Sequence, residues 1–275
     1  MTSFDTIAAT LKLRSGLSLG TDKDYLVRAR LEPILKRRSF ANLDILADRM
    51  RSDPGLEREV VEAMTSNETL FFRDGRPFDH LREVVLPMLH STRPRGATLR
   101  IWSAAASTGQ EAYSLAMLIS EMGPAMAGRV FEIVGTDIAR EPLARGEAGL
   151  YSQFEVQRGL PAKLLVKYFK KEDAGWRINR ELRDMVKFRE WNLLSDLSGL
   201  GRFDIIFCRN VLIYFDQPTK ARALDAVSRQ LSPDGVVYLG GAETLLGLNS
   251  GLAPMSGGHG IFQKGVTAIP ARAAT

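Results

Sequence analysis

Apolar positions over residues 1 to about 66 recur every three or four places. Phe4, Ile7, Ala8 and Leu11 form one such series. Tyr25, Leu26, Ala29, Leu31, Ile34 and Leu35 form a second, from about Asp24 to Arg38. Leu43, Ile45, Leu46 and Met50 follow Asn42, and Leu56, Val60, Val61 and Met64 follow an S-D-P-G turn. This spacing predicts four short helices packed as a small bundle. A fifth helix is expected from Pro77 to about His90, then a linker, S-T-R-P-R-G, that ends at Gly96.

Beyond Gly96 the period changes. Short apolar runs at 99–102, 130–136, 203–208 and 236–239 read as buried strands. Helical stretches at 111–119, 141–148 and 219–231 separate them. Such alternation predicts an α/β domain with a mostly parallel sheet and right-handed crossovers. Trp176 to Asn179 and Asp184 to Trp191 read as strands of a hairpin or small sheet, and Ile261-Phe262 as a last antiparallel strand. Residues 266–275 lack pattern and are expected to be a disordered tail.

One stretch organises this second domain: Leu99 to Glu111, L-R-I-W-S-A-A-A-S-T-G-Q-E. A strand runs into a loop almost without side-chain bulk, and a helix starts at once. In an open α/β sheet such a loop is where a ligand meets backbone amides and a helix N-terminus. The loop lacks the Lys-Ser/Thr of a P-loop and the G-x-G-x-x-G of a dinucleotide site. A cofactor without a pyrophosphate fits better, and S-adenosylmethionine is one.

Polar residues at neighbouring strand ends extend the picture. Asp137 closes the second strand, where a carboxylate accepts hydrogen bonds from both hydroxyls of an adenosine ribose. Asn192 follows the candidate third strand in chain order, Asp184 to Trp191, and can read an adenine edge. Arg209-Asn210 end the fourth. Gly109, Asp137, Asn192 and Asn210 would thus converge on one cleft.

Bulk properties add little. The net charge of +5 favours an acidic partner. Arg28, Arg30, Lys36, Arg37 and Arg38 crowd the second helix, with Glu32 the lone acid among them, which suggests a docking surface. Two adjacent phenylalanines, Phe71 and Phe72, sit amid polar residues and suggest a segment packed between two bodies. A single cysteine, Cys208, excludes an internal disulfide and fits a reducing cytoplasm. Three scattered histidines offer no metal-ligand cluster. No apolar run is long enough to span a membrane, and no secretory signal opens the chain.

Five segments resemble the CheR family of bacterial chemotaxis receptor methyltransferases: T-S-N-E-T-L-F-F-R-D (65–74), W-S-A-A-A-S-T-G-Q-E-A-Y-S (102–114), G-T-D-I (135–138), N-L-L (192–194) and F-D-I-I-F-C-R-N-V-L-I-Y-F-D (203–216). The resemblance implies a class I S-adenosylmethionine-dependent methyltransferase domain, Rossmann-like with a mostly parallel seven-stranded sheet. A small all-helical N-terminal domain and an inserted β-subdomain accompany it. In this sequence that gives a receptor-docking domain at 1–75, a linker helix and connection at 76–96, and a catalytic domain at 97–265 with its insert at about 170–191.

The implied activity is methyl esterification of glutamates on the cytoplasmic helices of methyl-accepting chemotaxis receptors, leaving S-adenosylhomocysteine as product. The enzyme is expected in the cytoplasm at receptor arrays, as a monomer without membrane insertion. Implied cofactor contacts are Asn67, Thr69, Arg73, Glu111, Asp137, Asn192, Leu193, Arg209 and Asn210; Arg73 and Tyr214 would stand near the transferring methyl. Arg28, Lys36, Arg37 and Arg38 would attract the receptor glutamates.

Two features depart from the family. Gln110 replaces the first acid of an S-T-G-E-E loop. The segment K-K-E-D-A-G-W (170–176) is short and has one glycine, whereas some members carry a glycine-rich loop that binds a pentapeptide at the receptor's C-terminus. Methylation without that tether is therefore expected. Three other readings compete. A nucleic-acid methylase would fit the basic charge, but Asn210 is followed by Val-Leu-Ile-Tyr and not by the Pro-Pro-Tyr of adenine-N6 enzymes. A cofactor-binding sensor without turnover and a nicotinamide oxidoreductase are the others, the last disfavoured by the absent glycine fingerprint.

Overall fold

The computed structural model describes residues 2–248, 250–256 and 258–265. The expected tail, 266–275, lies outside them. Four helices open the chain: α1 (Ser3–Ser15), α2 (Asp24–Arg38), α3 (Leu43–Met50) and α4 (Pro54–Met64). Three of these starts, all but that of α2, carry a side-chain cap. Thr2 and Asp5 form a capping box on α1, Asn42 caps α3, and Asp53 caps α4 with Pro54 in its first turn. Ile7, Leu11, Val27, Leu31, Ile34, Leu46, Leu56 and Val60 form their shared core. On α2 the buried face is Val27–Leu31–Ile34, whereas Tyr25 and Ala29, read as apolar-face positions, are exposed.

The linker helix is α5 (Arg76–His80), a π-helical turn (Leu81–Val85) and α6 (Leu86–Thr92). Pro87 explains the widening: it has no N–H and its ring crowds the carbonyl one turn back. The second domain then alternates β1 (Thr98–Ala104), α7 (Gln110–Met122), β2 (Val130–Asp137), α8 (Arg140–Ala148), β3 (Leu150–Tyr151), α9 (Gln153–Gln157), α10 (Ala162–Tyr168), β4 (Phe169–Glu172), β5 (Gly175–Ile178), α11 (Arg180–Asp184), β6 (Val186–Glu190), β7 (Phe203–Cys208), α12 (Gln217–Gln230), β8 (Leu231–Leu239), β9 (Leu252–Pro254) and β10 (Ile261–Lys264).

Seven strands form one sheet in the order β6-β2-β1-β7-β8-β10-β9. The first five are parallel and β10 runs antiparallel to both neighbours. Side chains of β1 alternate between the two faces: Ile101 joins the core beneath α7, and Trp102 joins the core beneath α12. The Trp102 indole stacks on Phe203 and donates to Thr136 Oγ1 at 2.9 Å, so its one polar atom is satisfied.

The insert differs from the expected 170–191. Its three-stranded sheet, β3-β5-β4, gathers residues from 150 to 178. Val186–Glu190 instead extends the large sheet, pairing with β2 in parallel register, Ile133 opposite Val186. Phe188 fixes that placement. Its ring lies where side chains at Gly109, Gly135 and Gly146 would have to be, with β-carbons built there only 2.7, 2.8 and 3.1 Å away.

Phe71 and Phe72 divide between two bodies. Phe71 is fully buried, edge-on to Tyr151 at 5.1 Å and Phe169 at 5.7 Å in the insert; Phe72 meets Phe78 of the linker helix. We predict that Phe71→Ala lowers unfolding free energy by about 3–5 kcal/mol, the usual cost of deleting a buried phenyl ring. Urea denaturation measures this, and a loss below ~1 kcal/mol would mean that the ring packs loosely.

Candidate functional site

A cleft of about 1070 Å³, open to solvent, lies at the carboxyl ends of β1, β2, β6 and β7. Asn67, Thr69, Arg73, Glu111, Asp137, Asn192, Leu193, Arg209, Asn210 and Tyr214 all line it. Of the four residues expected to converge from strand ends, Asp137, Asn192 and Asn210 line the cleft, whereas Gly109 does not and packs against Phe188 and Gly146; the segment before the linker helix closes one side.

Its floor is the loop between β1 and α7. Ala105, Ser107 and Gly109 have φ of 57°, 50° and 90°, a left-handed conformation at alternate positions. For the two non-glycine residues this costs about 1–3 kcal/mol each, so neighbouring bonds must hold them. Ala106 N donates to Thr136 O at 2.8 Å and Ser107 N to Asp137 Oδ2 at 2.9 Å, while Ser107 Oγ donates to Asn67 O at 2.8 Å. The small side chains leave main chain exposed to a ligand.

Asp137 has two duties. Oδ2 holds the first loop, and Oδ1 accepts from Ala139 N at 2.9 Å, fixing the turn after β2. Burial raises its pKa, against the pull of the backbone N–H groups of Ala139, Ser107 and Ile138. A carboxylate offers about four acceptor sites, so lone pairs remain for ribose hydroxyls.

Arg209 is nearly sealed from water, with its side chain 1% exposed. It donates to Glu111 Oε2 at 3.1 Å, to Asp74 Oδ2 at 2.6 Å and to Arg73 O at 3.0 Å. Glu111 also accepts from Ser103 Oγ at 2.8 Å. Burial pushes the Glu111 carboxyl up, while the Arg209 charge and the Ser103 bond draw it back.

Asn192 departs from expectation. Its Nδ2 donates to Arg14 O at 2.5 Å, one of the carbonyls left open at the end of α1, and its Oδ1 accepts from Leu194 N at 2.9 Å. The amide expected to read an adenine edge instead joins the two domains, retaining one N–H and one lone pair. Ser15 and Leu17, which nothing in the sequence singles out, line the cleft beside it. There Leu17 bridges to Phe215, and Ser18 N donates to Tyr214 O at 2.9 Å.

Arg28, Lys36, Arg37 and Arg38 lie outside the cleft lining, and each has an acidic partner. Arg28 pairs with Asp24, Lys36 with Glu32, and Arg37 and Arg38 share Glu59, which lowers the Glu59 pKa despite its partial burial. The unopposed charge expected on α2 is thus largely answered within the helical domain. Cys208 is fully buried, and burial pushes its thiol far up, which makes it a core residue and no nucleophile.

The strand order, the bulk-free first loop, the acid closing β2 and a roomy cleft with free backbone and carboxylate acceptors suit a nucleoside-bearing cofactor without a pyrophosphate; together they define a class I S-adenosylmethionine-dependent methyltransferase. The chain belongs to the CheR family. The model of the CheR methyltransferase SAM binding domain matches residues 67–261, and that of its all-alpha domain matches residues 2–65.

Similar proteins include chemotaxis protein methyltransferase Cher2 of Pseudomonas putida, 39% identical over 89% of this chain and 91% of that one. Chemotaxis protein methyltransferase 1 of Pseudomonas aeruginosa is 40% identical, over 88% and 90%. Chemotaxis protein methyltransferase 1 of Vibrio cholerae is 39% identical, over 92% and 93%. The protein is an S-adenosylmethionine-dependent methyltransferase of the chemotaxis type. No helix among the described residues is long and apolar enough to cross a membrane.

Asp137→Ala should weaken S-adenosylhomocysteine binding by more than tenfold. It would remove an acceptor that faces the cleft and leave Ser107 N and Ala139 N unpaired, each costing about 1–3 kcal/mol. Isothermal titration calorimetry reads the affinity; an unchanged Kd would take Asp137 out of the cofactor site.

Proposed function

We propose that this enzyme methylates glutamate side chains on the cytoplasmic helices of chemoreceptors, forming methyl esters. The observation that carries the reading is the make-up of the cleft. Among the described residues its walls contain neither histidine nor cysteine, its acids Glu68, Glu111 and Asp137 are engaged by Arg158, by Arg209 and by backbone N–H groups, and a phenol, Tyr214, stands half-exposed at the rim. A carboxylate substrate suits such a site. Its reference pKa is about 4.3, so it arrives ionised and needs no general base. Amine or hydroxyl substrates would have to lose a proton.

Asn67, Thr69, Glu111, Asp137, Asn192, Leu193, Arg209 and Asn210 would hold the cofactor, Asn192 mainly through its place at the domain junction. When bound, S-adenosylmethionine supplies a methyl group on a sulfonium whose sulfur leaves as a neutral thioether. The protein's part is alignment of the incoming oxygen and removal of its water. Tyr214 donates its phenolic O–H to one carboxylate oxygen and leaves the other free to attack. One C–O bond forms as one C–S bond breaks, and no proton changes hands. Arg73 donates to Glu68 O at 3.3 Å and has donors to spare. A guanidinium set directly on the carboxylate would blunt the nucleophile, so Tyr214 is the nearer partner and Arg73 steers from behind.

Receptor approach is assigned to α2, whose Arg37 and Arg38 pair with Glu59, and Arg38 also with Asp53 at 3.9 Å, yet both stay exposed to an approaching acidic helix. Tether independence rests on the hairpin of the insert. Glu172 pairs with Gly175 across a two-residue turn, Asp173-Ala174, with no longer loop to grip a peptide.

One assay tests these points: radiolabelled S-adenosylmethionine with receptor-containing membranes, followed by mild base. Label should leave as volatile methanol. Label retained in base would mean an amine product and would favour the nucleic-acid or N-methyl reading. Deleting the receptor's last residues should leave the rate unchanged, and a large fall would restore the tether. Arg37→Ala with Arg38→Ala should slow methylation at low salt and flatten its salt dependence; unchanged rates would make α2 a solvated face only.

A further inference from the structure

Glu243 is buried, 5% exposed, and lines none of the cleft. It follows β8 in a G-G-A-E turn closed by its own N–H on Gly240 O at 2.9 Å. Its carboxylate accepts four backbone hydrogen bonds. Oε2 takes Asn210 N at 2.9 Å and Gly240 N at 2.6 Å; Oε1 takes Val211 N at 3.0 Å and Leu212 N at 2.7 Å. Three of these donors are consecutive residues of the loop that leaves β7. That loop starts with Asn210 in a left-handed conformation, φ 59°, and ends at Tyr214.

We propose that Glu243 is a positioning residue for methyl transfer, which sets the Asn210–Tyr214 loop and through it the Tyr214 phenol. Successive N–H groups that converge on one point call for an acceptor there, and among the described residues the Glu243 carboxylate supplies it. A glutamine cannot replace it. Whichever way the amide turns, its NH2 faces two backbone N–H donors, and the loop must shift to escape. Asn210 and Tyr214 then lose their places together. The inference rests on the assignment of Tyr214 to the substrate carboxylate.

The test is a double-mutant cycle on the full-length enzyme with receptor-containing membranes, read as kcat and KM by methanol release. Tyr214→Phe and Glu243→Gln should each lower kcat by on the order of 10- to 100-fold, as small misplacements at a reacting centre do, with receptor KM changed far less. The pair should lose less than the product of the two single losses, since Glu243 acts in part through Tyr214. Thermal unfolding confirms the folded state. If Glu243→Gln fails to fold, Gly240→Ala takes its place in the cycle, because a β-carbon there lies 2.8 Å from Glu243 Oε2 and 2.9 Å from Asn210 Nδ2 and displaces the carboxylate without removing it. Additive losses, or an unchanged kcat in the loop-displacing variant while Tyr214→Phe is impaired, overturn the role of Glu243 alone. An unaffected Tyr214→Phe overturns the Tyr214 assignment, and the inference with it.

Discussion

A guanidinium with almost no access to water sits at the centre of this molecule. Arg209 would be intolerable there unless its charge were met, since an unpaired buried charge costs several kcal/mol; both terminal nitrogens have partners, and Nε alone is left without one. Glu111 on α7 meets it from one side, and Asp74 and the Arg73 carbonyl meet it from the other. The consequence is mechanical. The segment that precedes the linker helix is held against the sheet at the point where the cofactor cleft opens, and β7, α7 and that segment cannot separate without stranding an ion. The ring of Phe78, 5.9 Å below the guanidinium, completes the enclosure.

Strain collects around the same point. Among the described residues six non-glycine positions have positive φ, and five of them, Phe72, Asp74, Ala105, Ser107 and Asn210, belong to the three segments that face the cleft. Each is held by a bond from outside its own segment: Phe72 N to Ser114 Oγ, Asp74 to Arg209, Ser107 to Asp137 and Asn67, Asn210 to Glu243. Ala105 is fixed through its neighbour's bond to Thr136. The cleft is thus built from backbone shapes that the chain would leave if those bonds were cut, which is how a fold presents main-chain groups to a ligand.

Much of this was legible in the sequence because the constraint was local. A loop without bulk between a strand and a helix declares itself, as does an acid at a strand end, and Asn67 to Arg73 could be read from a contiguous string. Glu243 could not. It stands 33 residues from Asn210, and no motif connects a glutamate after the fifth large-sheet strand to a loop after the fourth. Val186–Glu190 was placed in the wrong sheet because it is an edge strand, with one fully buried side chain, and its alternation matches that of a hairpin arm. On α2, apolar residues on three sides of the helix left the inward face undecided until α4 packed against it. The charges of Arg37 and Arg38 looked free for a related reason, as Glu59 lies 21 or more residues away on a different helix.

The handshake between Asn192 and the last turn of α1 joins positions 178 residues apart. With Ser15 and Leu17 it makes the helical bundle a wall of the cleft and not a detachable adaptor. Exchange of bundles between relatives would therefore be constrained as a lock is by its bolt: the incoming module must bring its own matching rim at 14–18, or the chamber is left ajar. In this architecture the helical domain and the cleft share masonry, and they are obliged to diverge in step.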